Sequence, residues 1–216
     1  MEQVQSTTLP VQVVTALMGI RDRYLANYPD NSMVTHYCQY GRRGLGYFDW
    51  AKAIRRVSSV ADAIADAKEV LDLGTGFGYL PWLLKQRGVT CVAADIDAGC
   101  PSGEMKNNPE ALQLFREVRG ALGIEVVPMD PILPMTPVNV PDASARKFDA
   151  VTCLHTVFDL LWSERELHYF LTDLAAHCLK PGGEILMMSN HHPEWTGVMT
   201  TKLLARTSIA RYARSS

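Results

Sequence analysis

The stretch from Val70 to Tyr79, with the sequence VLDLGTGFGY, decides the fold. It begins with a short apolar run, which is typical of a buried strand, and continues into a turn rich in glycine. Glycines let the backbone turn tightly and approach a ligand without a Cβ in the way, and the start of a following helix would offer N–H groups. The stretch therefore predicts a strand, a ligand-binding loop and a helix in immediate succession.

Acidic residues and the glycine spacing distinguish this loop from a dinucleotide site. The third glycine is Gly78, so that Tyr79 stands where the G-x-G-x-x-G pattern would have glycine. Asp72 precedes the loop, where a carboxylate suits an amino group and would repel a pyrophosphate. Asp95 ends the next predicted strand about 20 residues after Gly74, the spacing of an acid that binds ribose hydroxyls. The ligand is thus expected to combine an ammonium group with a ribose.

Strands and helices alternate from residue 68 onward. Further strands are predicted over residues 89–94, 124–129, 148–154 and 184–188, and helices begin at the capping residues Asn108 and Ser163. This alternation predicts a parallel sheet with helices on both faces and a ligand site beyond the carboxyl ends of the strands. Residues 1–67 form a predicted N-terminal helical segment, and residues 68–216 a binding domain.

The N-terminal segment contains an aromatic and glycine-rich loop over residues 36–48, between two predicted helices. Its aromatic residues Tyr37, Tyr40, Tyr47 and Phe48 admit two interpretations. They would either fold over a bound substrate as a lid or pack the N-terminal helices onto the sheet. The sequence does not decide between the two.

Several segments of the chain occur in the order and spacing of the motifs of class I S-adenosylmethionine (SAM) dependent methyltransferases. They are Glu69–Gly78, Ala94–Ile96, Met129–Asp130, Phe148–Val151 and Leu179–Gly183. The chain resembles this family over roughly residues 68–190. The resemblance implies a Rossmann-like, doubly wound and mostly parallel α/β sheet with strand order 3-2-1-4-5, SAM as the cofactor and methyl transfer as the activity.

The resemblance also implies roles for individual residues. Asp72 would reach the methionine amino group, directly or through water, Asp95 with Ile96 would bind the ribose, and Asp130 would meet the adenine amine. Leu154 would lie beside the methionine portion of SAM. The backbone cradle would be lined by Gly74, Thr75, Gly76 and Gly78.

Histidines follow the predicted fourth and fifth strands, at the end of the sheet where the methyl group would lie. His155, His191 and His192 are the candidate catalytic residues, because a general base is needed where an acceptor must lose a proton. Each histidine has an alternative interpretation as an ordinary hydrogen-bonded residue. The sequence lacks the ligand patterns of metal-dependent methyltransferases, so no metal is assigned.

The acceptor is predicted to be a small molecule that receives the methyl group on an O or N atom. A carbon acceptor atom is left open as an alternative. The chain lacks the N-P-P-[YF] motif used on exocyclic amines and the Pro-Cys nucleophile used on cytosine. Two alternatives remain open: a SAM- or nucleoside-binding regulatory module without turnover, and a metal-assisted O-methyltransferase acting on RNA or a catechol-like substrate.

Composition bounds the partners and the compartment. Lys and Arg number 21 against 23 Asp and Glu, and this near balance gives no electrostatic argument for nucleic acid or for an anionic membrane surface. No signal peptide or membrane span is recognised. The 5 scattered cysteines favour reduced thiols and a cytoplasmic protein, either a monomer or a homodimer.

The C-terminal region departs from the family pattern, since the usual final hairpin is not recognised. Residues 202–214 are predicted to form a basic helix instead. The fifth strand would then lie at an open edge of the sheet, and the helix or a second copy of the chain would cover that edge.

Overall fold

The computed structural model describes residues 8–39, 48–95, 108–128, 147–154, 171, 173–188 and 209–213. These residues fall into two compact units. One unit contains the helices α1 (Val11–Asn27), α2 (Ser32–Cys38), α3 (Trp50–Ala63), α4 (Tyr79–Gln86) and α5 (Pro109–Leu122). The other contains the strands β1 (Glu69–Leu73), β2 (Thr90–Asp95), β3 (Val126–Pro128), β4 (Phe148–Leu154), β5 (Leu179–Met188) and β6 (Ile209–Ala213). The predicted boundary at residues 67 and 68 stays a prediction.

The strands form one sheet in the order β3-β2-β1-β4-β5-β6. All pairs from β3 to β5 are parallel, whereas β6 runs antiparallel to β5. Strands that pair in parallel cannot be joined by a hairpin, so the connections between the paired strands from β1 to β5 are crossovers. The predicted class of fold, a mostly parallel sheet with the order 3-2-1-4-5, is therefore confirmed.

The prediction for the end of the chain is corrected by β6. Residues 209–213 form a strand rather than part of a basic helix, and they pair with β5 from Met188↔Ile209 to Glu184↔Ala213. The backbone N–H and C=O groups on that side of β5 consequently have ladder partners. An unpaired strand edge is a strong template for another strand, and this outweighs the weak helical preference of a short basic segment.

The strand β5 begins earlier than the sequence pattern predicts. It includes the segment Leu179-Lys180-Pro181-Gly182-Gly183, which precedes the strand predicted over residues 184–188. Phe148 pairs with Leu179 and Ala150 with Glu184, so the extra residues of β5 form a bulge. Gly182 has φ +78°, a left-handed conformation that glycine adopts without strain.

An ionic contact fixes this bulge to the beginnings of β1 and β4. The Lys180 ammonium lies 2.8 Å from Glu69 Oε2 and 2.9 Å from Asp149 Oδ1. Asp149 Oδ2 also accepts hydrogen bonds from the backbone N–H groups of Lys68 and Glu69, both at 2.9 Å. Partial burial opposes ionisation, but Lys180 and these N–H donors hold the pKa of Asp149 below its ordinary value. Asp149 thus ties three strands together.

The core of this unit lies on one face of the sheet. Alternate residues of the strands point to it, as the two-residue period of a strand requires. A helical segment, described at residues 171 and 173–177, packs its own apolar side chains on the same face. The main members of this core are Leu71, Leu73, Val151, Cys153, Leu174, Cys178, Ile185 and Met187.

The helical unit follows its capping residues. The side chain of Asn108 accepts a hydrogen bond from Ala111 N, Pro109 takes the first position of α5, and Gly123 ends that helix with φ +65°. Asn31 caps α2, a helix that was not predicted and that includes residues 36–38 of the expected loop. The two capping amides also pair with each other, at 2.9 and 3.1 Å, and so connect α2 to α5.

Within the described part of the chain, no helix is long and apolar enough to cross a membrane. The described cysteines, Cys38, Cys91, Cys153 and Cys178, are free thiols, while Cys100 lies outside the described residues. Burial raises the pKa of Cys38 to about 12 and that of Cys178 to about 11, so that both remain protonated at neutral pH.

Candidate functional site

Asp72 is a buried acid near the carboxyl end of the strand β1. Only 2% of the residue is exposed. Thr152 Oγ1 donates to Asp72 Oδ1 at 2.6 Å, and Thr75 Oγ1 donates to Asp72 Oδ2 at 2.6 Å. Thr152 is opposite Asp72 in the parallel register of β1 and β4, so both side chains lie on the face away from the core just described. Each oxygen of the carboxylate thus has its own hydroxyl donor.

The surroundings of Asp72 act on its charge in opposite directions. Burial is the largest influence and raises the pKa, the hydroxyls of Thr152 and Thr75 lower it, and the negative charge of Asp95 raises it again. The resulting pKa is about 6, against an ordinary value of 3.8. The carboxyl therefore changes its charge just below physiological pH.

The first part of the glycine loop is fastened to β2. The N–H groups of Gly74 and Thr75 donate to the same carbonyl oxygen, that of Ala94, at 2.8 and 3.1 Å. These N–H groups are therefore engaged with protein rather than pointing to a ligand, which the sequence did not predict. Asp95 follows Ala94 at the end of β2 and is 9% exposed. The carbonyl of Ala94 thus holds the start of the glycine loop next to Asp95.

The second part of the glycine loop belongs to the helical unit and is fixed by an arginine. Arg119 on α5 is 7% exposed, and its Nε donates to the carbonyl oxygen of Gly76 at 2.6 Å. The guanidinium lies 5.6 Å from the centre of the Phe115 ring, a cation–π distance. Arg119 was not among the predicted site residues, although the signal in the sequence was a charged residue beside the apolar residues of α5.

The backbone conformation at the end of the loop favours glycine. Gly78 has φ +83° and precedes α4 as its N-cap residue, with its carbonyl accepting from Trp82 N at 3.0 Å. A Cβ at Gly78 would lie 3.4 Å from two carbons of Ile124. That contact distance is ordinary, so the predicted third glycine of the motif is explained by the left-handed turn.

An aromatic cluster surrounds Phe77, the residue between the last two glycines of the loop. The Phe77 ring centre lies 4.7 Å from that of Phe115 and 5.3 Å from that of Phe48, and Tyr37 lies 4.8 Å from Phe115. Tyr37 and Phe48 thus pack around the loop residue Phe77 within the helical unit, and packing of the aromatics onto the sheet stays a prediction. Tyr40 and Tyr47 lie outside the described residues, and the lid stays a prediction.

The structure describes only part of the predicted site. Asp72, Gly74, Thr75 and Asp95 lie together at the carboxyl ends of β1 and β2, and Leu154 ends the neighbouring β4, where it is half-buried. Gly76 and Gly78 are described in the helical unit. The predicted residues outside the described ranges are Ile96, Asp130, His155, His191 and His192. Their roles stay predictions.

A parallel sheet of this order, with a glycine loop after β1 and acids at β1 and β2, is the arrangement expected of a class I methyltransferase fold. The sequence model of the family described as "Methyltransferase domain" matches residues 45–207, well over half of the chain. The chain therefore belongs to the methyltransferase domain family. The predicted family is confirmed.

Several solved structures are similar to the chain. One is CalS10, an amino pentose methyltransferase from Micromonospora echinaspora, solved with SAM bound; it is 24% identical, with a TM-score of 0.45, over 67% of this chain and 52% of that one. Another is DesVI of Streptomyces venezuelae, 20% identical with a TM-score of 0.46, over 65% of this chain and 52% of that one. The chain thus spans about half the length of these structures. No curated protein matches the sequence.

Proposed function

We propose that the chain binds SAM and transfers its methyl group to an O or N acceptor, or a C acceptor, of a small molecule. The observation that carries the proposal is the pair of nearly buried carboxylates, Asp72 and Asp95, at the carboxyl ends of adjacent parallel strands, with a glycine loop fastened between them. Ligands of open α/β sheets bind at this end of the strands. Family membership supports the same activity.

The chemistry of these residues fits SAM. A buried negative charge at Asp72 favours the methionine ammonium, and Asp95 offers acceptor oxygens to ribose hydroxyls. The Asp72 carboxylate beside the glycine loop disfavours a pyrophosphate, and with it a dinucleotide. When bound, SAM supplies a methyl group that its sulfonium sulfur already activates. The protein is then left to align the acceptor with that methyl group and to exclude water.

Titration calorimetry with S-adenosylhomocysteine (SAH) tests the cofactor proposal, and SAH release with a panel of acceptors tests the activity. We expect saturable binding of SAH that NAD does not compete with. No binding at millimolar SAH would contradict the proposal, and competition by NAD would favour a dehydrogenase. Binding without turnover on the panel would favour a regulatory module, and turnover abolished by a chelator would favour the metal-assisted alternative.

Replacing Asp95 by alanine is expected to weaken SAH binding by about 1–3 kcal/mol, or roughly 5- to 150-fold, because charge-assisted hydrogen bonds to the ribose are lost. Calorimetry at constant ionic strength measures the effect. The control is Asp62→Ala, which removes the same charge from an exposed position of α3 that pairs with Arg87. An equal loss in both variants would assign the effect to net charge rather than to contact with the ribose.

The acceptor side of the site rests on the predicted histidines. His155, His191 and His192 are proposed to act on the acceptor as general bases, in which case alanine at each would lower turnover more than SAH affinity. The buried, protonated thiols agree with a reducing compartment, so we place the protein in the cytoplasm, as a monomer or homodimer.

A further inference from the structure

The hydroxyl of Thr152 is buried in the sheet and meets one oxygen of an acid. Thr152 has no exposed surface and donates to Asp72 across the parallel pair β1–β4. On the outer sides of this pair the residues in register are apolar: Ala93 lies beside Asp72, and Leu186 lies beside Thr152. A hydroxyl in such surroundings costs free energy unless it makes a hydrogen bond. Asp72 provides the acceptor that satisfies it.

The hydrogen-bond pattern around Asp72 fits a charged carboxylate. An ionised carboxylate only accepts hydrogen bonds, so it can accept one from each hydroxyl. A protonated acid would have to donate a hydrogen bond itself. Both distances are 2.6 Å, within the range of O–H···O⁻ bonds to a charged acceptor. The two donors come from different elements, Thr75 from the loop and Thr152 from β4. Together they fix the orientation of the carboxylate as well as its charge.

We propose that Thr152 is a positioning residue of the cofactor site, whose hydroxyl acts with that of Thr75 to hold the Asp72 carboxylate ionised and oriented beside the glycine loop. The inference rests on the proposed binding of SAM, whose ammonium needs that charge. Among the described residues, the other titratable groups facing Asp72 come from β2: Asp95, whose charge opposes ionisation, and the Cys91 thiol, which burial keeps protonated. In the described residues the hydroxyls are therefore the groups that favour the charged form.

The test compares the pH dependence of SAH binding in wild type, Thr152→Val and Thr152→Ser, by calorimetry between about pH 5 and 8. Valine keeps the shape of threonine and removes the donor, whereas serine keeps the donor. We expect the midpoint of the pH profile to rise by about one unit in T152V, the shift from losing one charge-assisted hydrogen bond. With a wild-type midpoint near 6, SAH affinity would then fall about fivefold at pH 6 and recover toward pH 8. T152S should retain the wild-type midpoint.

Two results would overturn the inference. One is an unchanged midpoint in T152V, and the other is a loss of affinity that is equal at every pH, which a purely structural role would produce. Thr75→Val removes the second donor from a less buried position and gives the same measurement if T152V does not fold. Thr90→Val, an exposed change on β2, is the matched control and should leave the profile unchanged. Failure of wild type to bind SAH at any pH would instead contradict the proposed function.

Discussion

Replacing Gly183 by alanine is expected to lower the free energy of unfolding by about 1–3 kcal/mol, the cost of forcing extra atoms into a packed interior. A Cβ at Gly183 would lie 3.0 Å from the carbonyl oxygen of Lys180 and 3.1 Å from those of Asp149 and Phe148. All three contacts are with backbone at the β4–β5 bulge, so no side chain can rotate away to relieve them. Denaturant unfolding at fixed pH measures the change.

Two other glycines provide controls for this prediction. Gly182→Ala meets no atom within 4 Å but has φ +78°, so it should cost only about 1–2 kcal/mol from the left-handed conformation. Gly120 lies inside α5 with open space around it, and its replacement by alanine should raise stability by about 0.5–1 kcal/mol. A Gly183→Ala protein as stable as Gly120→Ala would show that the bulge does not bring the backbones so close.

Replacing Asp72 by asparagine is expected to weaken SAH binding without lowering the stability of the protein. SAH affinity should fall by about 10- to 150-fold, the loss of a charge-assisted interaction with the ammonium. The free energy of unfolding at pH 7 should stay the same or rise, since the variant no longer buries a charge. Removing the buried charge raises the free energy of unfolding by at most about 3 kcal/mol. Weaker hydrogen bonds from the two threonines to a neutral amide offset part of this gain.

The raised pKa of Asp72 determines how its contribution to the free energy of unfolding changes with pH. The pKa of Asp72 is about 6 in the folded protein and 3.8 is its ordinary value. Between those values the folded state keeps a proton that the unfolded state has lost, so the contribution of Asp72 to stability is greatest below about pH 4 and declines as pH rises to about 6. The difference between wild type and Asp72→Asn should follow that window and be constant above pH 7. An Asp72→Asn protein that is clearly less stable than wild type at pH 7, or that binds SAH equally well, would contradict the prediction.

Local features of the chain were predictable because they depend on neighbours in sequence. The bounds of β4, the Asn108 cap and glycine stop of α5, and the strand–loop–helix around Gly74 are decided by local hydropathy, capping and left-handed turns. The position of Asp95 at the end of β2 also follows from its spacing. The order of the strands came from resemblance to a family rather than from any local pattern.

Tertiary structure decided every feature that depends on a partner far along the chain. Thr152 meets Asp72 only because of the register between β1 and β4, and Arg119 reaches the Gly76 carbonyl only because α5 packs beside that part of the loop. The bulge at Gly183 and the pairing of residues 209–213 with β5 likewise result from long-range backbone contacts. Hydropathy can place a residue on a face of a strand, but a shift of one position in register would give Asp72 a different neighbour. The sequence by itself therefore determined which residues form the loop and its acids, and the fold determined which side chains hold them in place.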